Sequence, residues 1–344
     1  MTLVHVSLLG RGEEDAWDHY VRAAPQATFF HLSGWRRVIE EAFGHDTYYF
    51  CARRAGTIVG VMPLTHVRSL LFGNALISNA FCVYGGIVAD DEAAHRALAT
   101  ESIKLGREKK VAHIECRSVH PSPLQWHRKD DLYVTFRKPI DPNLDANLKA
   151  IPRKQRAMVR KGITNGLCSV LDENADRLHE IYAHSVRNLG TPVFSKRYFE
   201  LLKTEFGENC DILTVLQGDT PIASVMNFYF RDEVLPYYGG GLREARALAA
   251  NDFMYWEVLR RACERGYRLF DFGRSKRGTG SYNFKRYWGF EPTPLHYEYF
   301  PITKERIPDL NPLNPKYQAL IATWKRLPVP LTKVLGPPIV RGIG

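Results

Sequence analysis

Short apolar segments joined by turn residues run along the chain and predict β-hairpins in both of its halves. In the first half, residues 48–52 and 57–64 flank a turn at Gly56. In the second half, residues 211–216 and 221–225 flank a turn around Gly218. Apolar, β-branched segments separated by a glycine-containing turn are typical of antiparallel strand pairs. The two halves therefore contain the same starting unit.

The elements that follow each hairpin also come in the same order. A Tyr-Gly-Gly triplet is followed by a helical stretch and then by a short apolar strand. In the first half these are Tyr84-Gly85-Gly86, 91–109 and 113–118. In the second half they are Tyr238-Gly239-Gly240, 249–265 and 269–275. The spacing between the triplets is close to one ordinary domain length. We therefore expect a mixed α/β (α+β) fold with two tandem domains related by internal duplication.

Turn residues divide the chain into these domains and a tail. Asp141-Pro142-Asn143 marks the boundary, so we expect a first domain at 1–140, a second at 141–300 and a proline-rich tail at 301–344. Because proline interrupts helices, the only long helix expected in the tail is 317–326. The tail mixes apolar with basic side chains, which suits either peripheral contact with a membrane or packing on the protein's own core.

The segment 267–292 is the most informative part of the chain. A short apolar strand ends in Asp271, Arg274, Ser275 and Lys276, and an aromatic helix stopped by Gly289 follows. In α/β folds, ligand sites form where buried strands end in polar residues. The dense glycine, aromatic and ionisable residues here favour a site over a solvated surface loop.

Composition limits the kinds of protein that the chain can be. Its 344 residues, 45% hydrophobic, suffice for two cores, and no apolar run approaches the roughly 18 residues that span a bilayer. The first twelve residues lack the features of a secretion signal. The six cysteines are scattered and the histidines are not clustered. We expect a cytoplasmic protein without a metal.

The net charge of +10 is concentrated in one predicted helix. Arg153, Arg156 and Arg160 have the spacing of one helical face, after Pro152 and before Gly162. Such a stripe suits the phosphates of a nucleic acid, a nucleotide sugar or a lipid surface, and it equally suits a solvated face. No signature of sequence-specific nucleic-acid recognition accompanies it.

Several phrases of the sequence carry a family resemblance that covers almost the whole chain. They are Gly60-Val61-Met62-Pro63-Leu64, Arg156 to Gly162, Leu189 to Phe194, Leu235 to Gly240, Phe270 to Lys276 and Gly278 to Lys285. With two acetyltransferase-like (GNAT) repeats, the chain resembles the FemAB-related aminoacyltransferase superfamily, in the branch associated with PEP-CTERM/exosortase exopolysaccharide systems. The resemblance implies an acyltransferase.

The acyl donor that this resemblance implies is an aminoacyl-tRNA. Acetyltransferase-like domains cradle the CoA pyrophosphate with a glycine-rich loop at a helix N-terminus. The corresponding segments here are 241–251, which has no glycine after Gly241, and Asp90-Asp91-Glu92 in the first repeat. Fem-type enzymes share this departure. The alternative is a phosphate site formed by the side chains of Arg243 and Arg246 alone.

The same resemblance assigns a role to Lys285. Acetyltransferase-like domains often place a general-acid tyrosine four residues before the Gly-Phe that ends their last helix; here that position, before Gly289-Phe290, is Lys285. Fem-type enzymes also carry a Phe-Lys there, whose lysine is thought to stabilise an oxyanion. An ammonium presents a full charge and three donors to a tetrahedral intermediate. An exposed helix lysine is the alternative.

The remaining candidates surround Lys285 or line the expected cleft. Asp271 either orients Lys285, accepts a proton from the attacking amine, or caps the next turn. The candidate substrate-binding residues are Arg274, Ser275, Lys276, Tyr282, Tyr238, Arg187, Tyr198 and Trp288, and the aromatic ones among them are equally suited to core packing. The first repeat keeps an acid and an arginine at Glu115 and Arg117 but has no Phe-Lys helix, so we assign the chemistry to the second repeat.

We therefore expect a Fem-like acyltransferase or aminoacyltransferase that forms an amide on a precursor of the cell envelope or of an exopolysaccharide. No cofactor is expected, since the acyl donor, aminoacyl-tRNA or acyl-CoA, is a co-substrate. The expected partners are a nucleotide- or lipid-linked precursor and a tRNA bound by Arg153, Arg156 and Arg160. An N-acyltransferase that uses acyl-CoA or an acyl carrier protein on an amino sugar, and a non-catalytic binding protein on the same fold, are the alternatives. The expected location is the cytoplasm, with the inner face of the membrane as an option.

Overall fold

The computed structural model describes residues 3–69, 72–130, 132–303 and 315–344. The strands are β1 (His5–Leu8), β2 (Asp46–Arg54), β3 (Thr57–Ser69), β4 (Gly73–Ser78), β5 (Val88–Ala89), β6 (His113–Ser118), β7 (His127–Lys129), β8 (Tyr133–Pro139), β9 (Cys168–Leu171), β10 (Cys210–Gln217), β11 (Thr220–Phe230), β12 (Glu233–Gly241), β13 (Leu269–Asp271), β14 (Ser275–Lys276), β15 (Pro292–Pro294) and β16 (His296–Pro301). The α-helices are α1 (Glu14–Ala23), α2 (Gly34–Phe43), α3 (Glu92–Glu108), α4 (Leu144–Ala150), α5 (Arg153–Thr164), α6 (Asp176–Leu189), α7 (Lys196–Phe206), α8 (Ala250–Glu264), α9 (Gly280–Tyr287), α10 (Pro315–Trp324) and α11 (Val329–Arg341).

The described residues form two compact units. The first comprises those within 1–133, 294–309 and 341–344, and the second those within 134–293 and 310–340. The sequence prediction placed the boundary at 140/141 and ended the second domain at 300. The units divide differently because β8 pairs with β13 of the second unit and β16 pairs with β6 of the first.

The sheet of the first unit has the order β1-β2-β3-β4-β6-β16-β7, with β5 beside β3. Strands β4 and β6 are parallel, joined through α3, whereas β16 returns antiparallel to β6. Helix α3 begins at Asp91, whose side chain accepts a hydrogen bond from the Ala94 N–H. Its buried face, with Leu98 and Leu105, packs into a core that includes Leu76 and Ile114.

The sheet of the second unit has the order β14-β8-β13-β12-β11-β10-β9, with β15 beside β8. Strands β12 and β13 are parallel and β8 is antiparallel to β13. Helix α8 packs on this sheet through Phe253, Met254 and Val258, in a core that also contains Phe270 and Phe272. The two units thus repeat one strand order, and the expected α/β fold with two tandem domains related by internal duplication is confirmed.

The repeat also aligns the acidic residues Glu115 and Asp271, but not the two glycine triplets. Pairing places Glu115 opposite Ile77 of β4, and Phe270, one residue before Asp271, opposite Val234 of β12. Tyr238-Gly239-Gly240 lies inside β12, whereas Tyr84-Gly85-Gly86 follows β4 as a loop. The expected equivalence of the triplets is therefore wrong, because β4 ends at Ser78 and β12 continues to Gly241.

The tail contains a helix that the prolines were expected to prevent. Helix α11 includes Pro337 and Pro338. A Cβ on Gly336 would lie 2.7 Å from the Val193 carbonyl oxygen, so the glycine lets the helix pack directly on that backbone. Tertiary packing thus overrides the local proline signal. The part of the proline-rich tail at 304–314 lies outside the described residues.

The described residues contain neither a membrane-spanning helix nor a cluster of metal ligands. None of the helices in this part of the chain is both long and apolar enough to cross a bilayer. The same residues hold no group of three or more histidine, cysteine or acidic side chains placed to bind a metal.

Candidate functional site

The candidate site begins with the turn that ends β13. The Asp271 carboxylate accepts a hydrogen bond of 2.7 Å from the Gly273 N–H, which folds the chain back after the strand. Gly273 has φ +67°, a left-handed conformation that favours glycine. This turn directs the carbonyl groups of Gly273 and Arg274 toward the following helix.

Helix α9 carries Lys285 to those carbonyl groups. The helix begins at Thr279, whose side chain accepts from the Tyr282 N–H, and the chain leaves it through Gly289 at φ +76°. The Lys285 Nζ donates to the Gly273 oxygen at 2.9 Å and to the Arg274 oxygen at 3.1 Å. An ammonium has three donors, so one N–H remains for a substrate oxygen.

The surroundings of Lys285 are apolar as well as charged. Its Nζ lies 5.6 Å from the ring centre of Phe136 and 6.0 Å from that of Phe272. Burial lowers the pKa of Lys285 to about 7; the charge of Asp271 opposes this shift and that of Arg274 adds to it. Near neutral pH, Lys285 therefore exchanges between ammonium and amine.

Two residues that the sequence did not predict hold Asp271 in place. Both residues lie on β8. Thr135 Oγ1 donates to Asp271 Oδ1 at 3.1 Å, and Arg137 Nε lies 3.4 Å from Asp271 Oδ2. Arg137 also donates through Nη2 to Glu233, at the start of β12. Burial and the Asp271 charge raise the pKa of Glu233 to about 7, against the effect of Arg137. Arg137 thus forms ion pairs with two buried carboxylates.

Two predicted residues lie close to this arrangement. Ser275 directly follows the carbonyl that binds Lys285 and is only 4% exposed; its Oγ has no hydrogen-bond partner among the described residues. Tyr282, on the first turn of α9, packs its ring against Phe136 at 5.5 Å between ring centres. Arg274 and Lys276 flank Ser275 and are both partly exposed. The segment 271–285 therefore gathers most of the predicted site.

The other predicted substrate-binding residues have structural contacts. Tyr198 and Tyr238 are buried, share a hydrogen bond of 2.8 Å between their hydroxyl groups, and pack with Phe194 and Phe199. Arg187 donates to the Lys325 carbonyl at 3.0 Å.

Trp288, also predicted to bind substrate, has the contacts of a core residue. It is 1% exposed, lies in the core of the second unit, and donates its N–H to Asp252 at 3.0 Å. Its ring packs against Phe272 and Phe284, at 6.0 and 6.1 Å between ring centres. A large aromatic side chain with such contacts contributes to the core of the unit.

The predicted basic stripe forms an exposed face of α5. Arg153 and Arg160 are exposed, and Arg156 is half-buried with a hydrogen bond of 3.2 Å to the Lys149 carbonyl. The opposite face packs on α8, where a Cβ on Gly162 would lie 2.7 Å from the Phe253 Cβ. Helix α5 is therefore fixed by one face and presents cations on the other.

Known proteins share this fold. Residues 147–286 match the family model described as an acetyltransferase (GNAT) domain. FemX superposes with a TM-score of 0.70 at 15% identity, covering 92% of this chain and 100% of FemX. A tandem GNAT protein from the clavulanic acid biosynthesis pathway gives 0.55 at 13% identity, with coverages of 89% and 100%. L-PGS from Bacillus licheniformis gives 0.53 at 11%, with coverages of 95% and 99%.

No curated protein matches the sequence. The second unit contains a GNAT-type domain, and the fold of the whole chain is similar to that of FemX and of tandem GNAT proteins.

The shared use of Arg137 generates a prediction on stability. Replacing Arg137 with Met leaves Glu233 and Asp271 buried without their common cation, so we expect a loss of about 2–3 kcal/mol in the free energy of unfolding at pH 8. The loss should shrink as the pH falls toward 5, because the pKa of Glu233 lies above its unfolded value and protonation removes one of the two charges.

Urea denaturation at several pH values measures this effect. The control is Lys196→Met, since Lys196 pairs with Asp176 on the exposed surface of the same unit and should contribute less than about 1 kcal/mol. A loss for Arg137→Met that is no larger than that of the control, or is independent of pH, contradicts the role of Arg137.

The lowered pKa of Lys285 generates a second stability prediction. Its pKa of about 7 in the folded state lies below the unfolded value of 10.5, so between these values the unfolded chain binds more protons. The free energy of unfolding of the wild type, relative to Lys285→Met, should therefore rise by up to roughly 2 kcal/mol between pH 7 and 9. Parallel pH profiles of the two proteins would show that Lys285 titrates normally.

Proposed function

We propose that the chain is a Fem-like acyltransferase that forms an amide on a precursor of the cell envelope or of an exopolysaccharide. The observation that carries this proposal is the ammonium of Lys285, held by two backbone carbonyls with a third N–H unused by them. Such a fixed, partly desolvated cation is suited to a developing negative charge. The GNAT-type domain supports the same class of reaction.

The reaction would proceed through a tetrahedral intermediate. The acceptor amine attacks the acyl carbon of the donor, a C–N bond forms, and the carbonyl oxygen becomes an oxyanion beside the Lys285 ammonium. Collapse then breaks the bond to the leaving group, which takes up a proton as the amine loses one. Lys285 is the catalytic residue, and the buried Ser275 hydroxyl, which follows the Arg274 carbonyl, is the candidate second donor.

Asp271 takes a different part in this proposal from that of a proton acceptor. It is 0% exposed, its Oδ1 already accepts from Thr135 and Gly273, and its Oδ2 lies 3.4 Å from Arg137 Nε. Its charge favours the ammonium form of Lys285. Asp271 is therefore a positioning residue, which shapes the turn and sustains the charge of Lys285.

An aminoacyl-tRNA is the proposed donor. The loop before α8 contains no glycine between Leu242 and Ala249, so bare backbone is not offered to a pyrophosphate there. The exposed Arg153 and Arg160, with Arg156 beside them, supply a cationic face for an RNA backbone. An acyl-CoA or acyl carrier protein is the second candidate, because Arg243 and Arg246 are exposed directly before α8.

The proposed acceptor is a nucleotide- or lipid-linked amine, which is consistent with a protein at the inner face of the cytoplasmic membrane. Helix α11 supports peripheral contact, since Leu331, Val334 and Leu335 are exposed apolar side chains on it. The other side of α11 packs on the second unit through Val329.

Substitution of Lys285 tests the proposed mechanism. Lys285→Met should lower turnover on the order of 100- to 1,000-fold, as the loss of one oxyanion donor typically does, with little change in substrate affinity. Arg286→Met is the matched control, because Arg286 is exposed on the same helix. The assay follows labelled acyl transfer from charged tRNA or acyl-CoA to amine-bearing nucleotide sugars. Full activity of Lys285→Met would rule out the assignment.

The pH profile separates two roles of Lys285. If its ammonium stabilises an oxyanion, turnover should fall as the pH rises through about 7, where the side chain loses its proton. A rate that instead rises through the same range, and loses this dependence in Lys285→Met, would identify the neutral amine as a general base.

Binding measurements test the donor. We expect acetyl-CoA to bind weakly or not at all, since neither unit offers a glycine loop to its pyrophosphate. Charged tRNA should bind, and a triple replacement of Arg153, Arg156 and Arg160 by Gln should weaken it and flatten its salt dependence. Low-micromolar acetyl-CoA affinity in calorimetry, lost in Arg243→Gln with Arg246→Gln, would favour the acyl-CoA donor.

A further inference from the structure

A cavity of about 430 Å³ lies within the second unit, at the end of β8. Its lining includes the apolar side chains of Ile140, Ile151, Leu259, Phe270, Trp288 and Phe290, all of them buried. The volume is within the range of sites that hold small ligands. The turn at Gly273 and the Lys285 contacts described above do not line it.

The polar groups within the lining are already satisfied, with one exception. The Asn147 amide accepts from the Asp141 N–H at 2.9 Å and donates to the Asp141 oxygen at 2.7 Å. The Asp141 carboxylate accepts from the Asn143 N–H at 2.7 Å and is exposed. These internal bonds leave no demand for a polar ligand at the cavity wall.

The exception is the ammonium of Lys138, on β8 at the edge of the cavity. Its Nζ lies 5.6 Å from the ring centre of Phe290 and makes a long hydrogen bond of 3.4 Å to the Ala150 carbonyl. No carboxylate lies within ion-pair distance of it in the part of the chain that the structure describes. Burial lowers the pKa of Lys138, as expected for a cation removed from water without a counter-ion.

We propose that this cavity binds the hydrocarbon chain of an anionic lipid, with the anionic head group at Lys138. The apolar side chains take the hydrocarbon out of water, and the ammonium supplies the charge that the head group needs. A partly desolvated cation beside an apolar cavity favours an amphipathic anion over a neutral ligand. The contact with Ala150, at the end of α4, uses only one of three N–H groups of Lys138. The proposal does not depend on the transferase activity.

Tryptophan fluorescence tests the position of the chain, because Trp288 lines the cavity. A dodecanoate brominated at its far end should quench the fluorescence of the wild type, and Trp288→Phe should abolish most of this quenching. Undiminished quenching in Trp288→Phe would place the chain elsewhere and overturn the proposal.

Calorimetry with dodecanoate tests the charge. Lys138→Met should bind at least about ten-fold more weakly, as the loss of a charge-assisted hydrogen bond predicts, whereas Lys138→Arg should retain binding. Lys154→Met is the matched control, since Lys154 is an exposed lysine of the same unit. Equal affinity of Lys138→Met and the wild type, or of dodecanol and dodecanoate, overturns the role of Lys138.

Two further ligands define the chemical class. Each methylene removed from the chain should weaken binding by about four-fold, so octanoate should bind far more weakly than dodecanoate. Dodecyl phosphate compared with dodecanoate distinguishes a phosphorylated lipid from a fatty carboxylate, and the tighter of the two identifies the head group. If neither binds the wild type, the cavity is not a lipid site.

Discussion

The site of the second unit depends on one interaction, the bridge that Arg137 makes between Asp271 and Glu233. A buried carboxylate keeps its charge only when cations or hydrogen bonds replace the water that it loses, and two neighbouring carboxylates raise that requirement. Arg137 supplies a cation to both carboxylates from β8, and Thr135 adds a hydrogen bond to Asp271 from the same strand. The Asp271 carboxylate accepts a hydrogen bond from the Gly273 N–H in the turn that ends β13, and its charge opposes the lowering of the Lys285 pKa by burial. The pairing of β8 with β13 therefore positions the candidate site as well as the sheet.

The burial that suits Lys285 to its proposed role also lowers the stability of the folded chain. An ammonium that is removed from water destabilises the folded chain, and the two carbonyl groups that bind it compensate for only part of the lost hydration. The same desolvation strengthens the interaction of the cation with any charge that develops beside it. A group whose pKa is shifted by burial and by a specific neighbour is typical of functional sites, although ion-pair networks cause similar shifts. The proposed role of Lys285 rests on the contacts that α9 gives it as well as on this shift.

The sequence predicted the parts of the site that are close together along the chain. Asp271, Ser275, Tyr282 and Lys285 lie within one strand, turn and helix, so local patterns sufficed to group them. Arg137 and Glu233 were missed because their positions depend on strand pairing over long separations, which no local pattern specifies. For the same reason, the sequence did not predict that β8 pairs within the second unit and β16 within the first. Trp288 was predicted to bind substrate because the sequence pattern of an aromatic residue beside polar ones is the same for a buried residue and for a surface residue.

The two units differ in the side chains that surround the position of the proposed site. Glu115 ends up where Asp271 does in the repeated strand order, but the residue opposite it on β16 is Tyr299, where β8 has Arg137. Glu115 instead pairs at 2.8 Å with Arg117 of its own strand, and Arg117 also donates to the Cys82 carbonyl at 2.8 Å. That carboxylate is thus engaged by a buried structural arginine, and the strand is followed by β7 rather than by a helix with a lysine. In the second unit, Arg137 of the neighbouring strand lies beside Asp271, and Lys285 of α9 binds the carbonyl groups of the turn that follows β13, so the repeated scaffold carries different side-chain contacts at the same position in the two units.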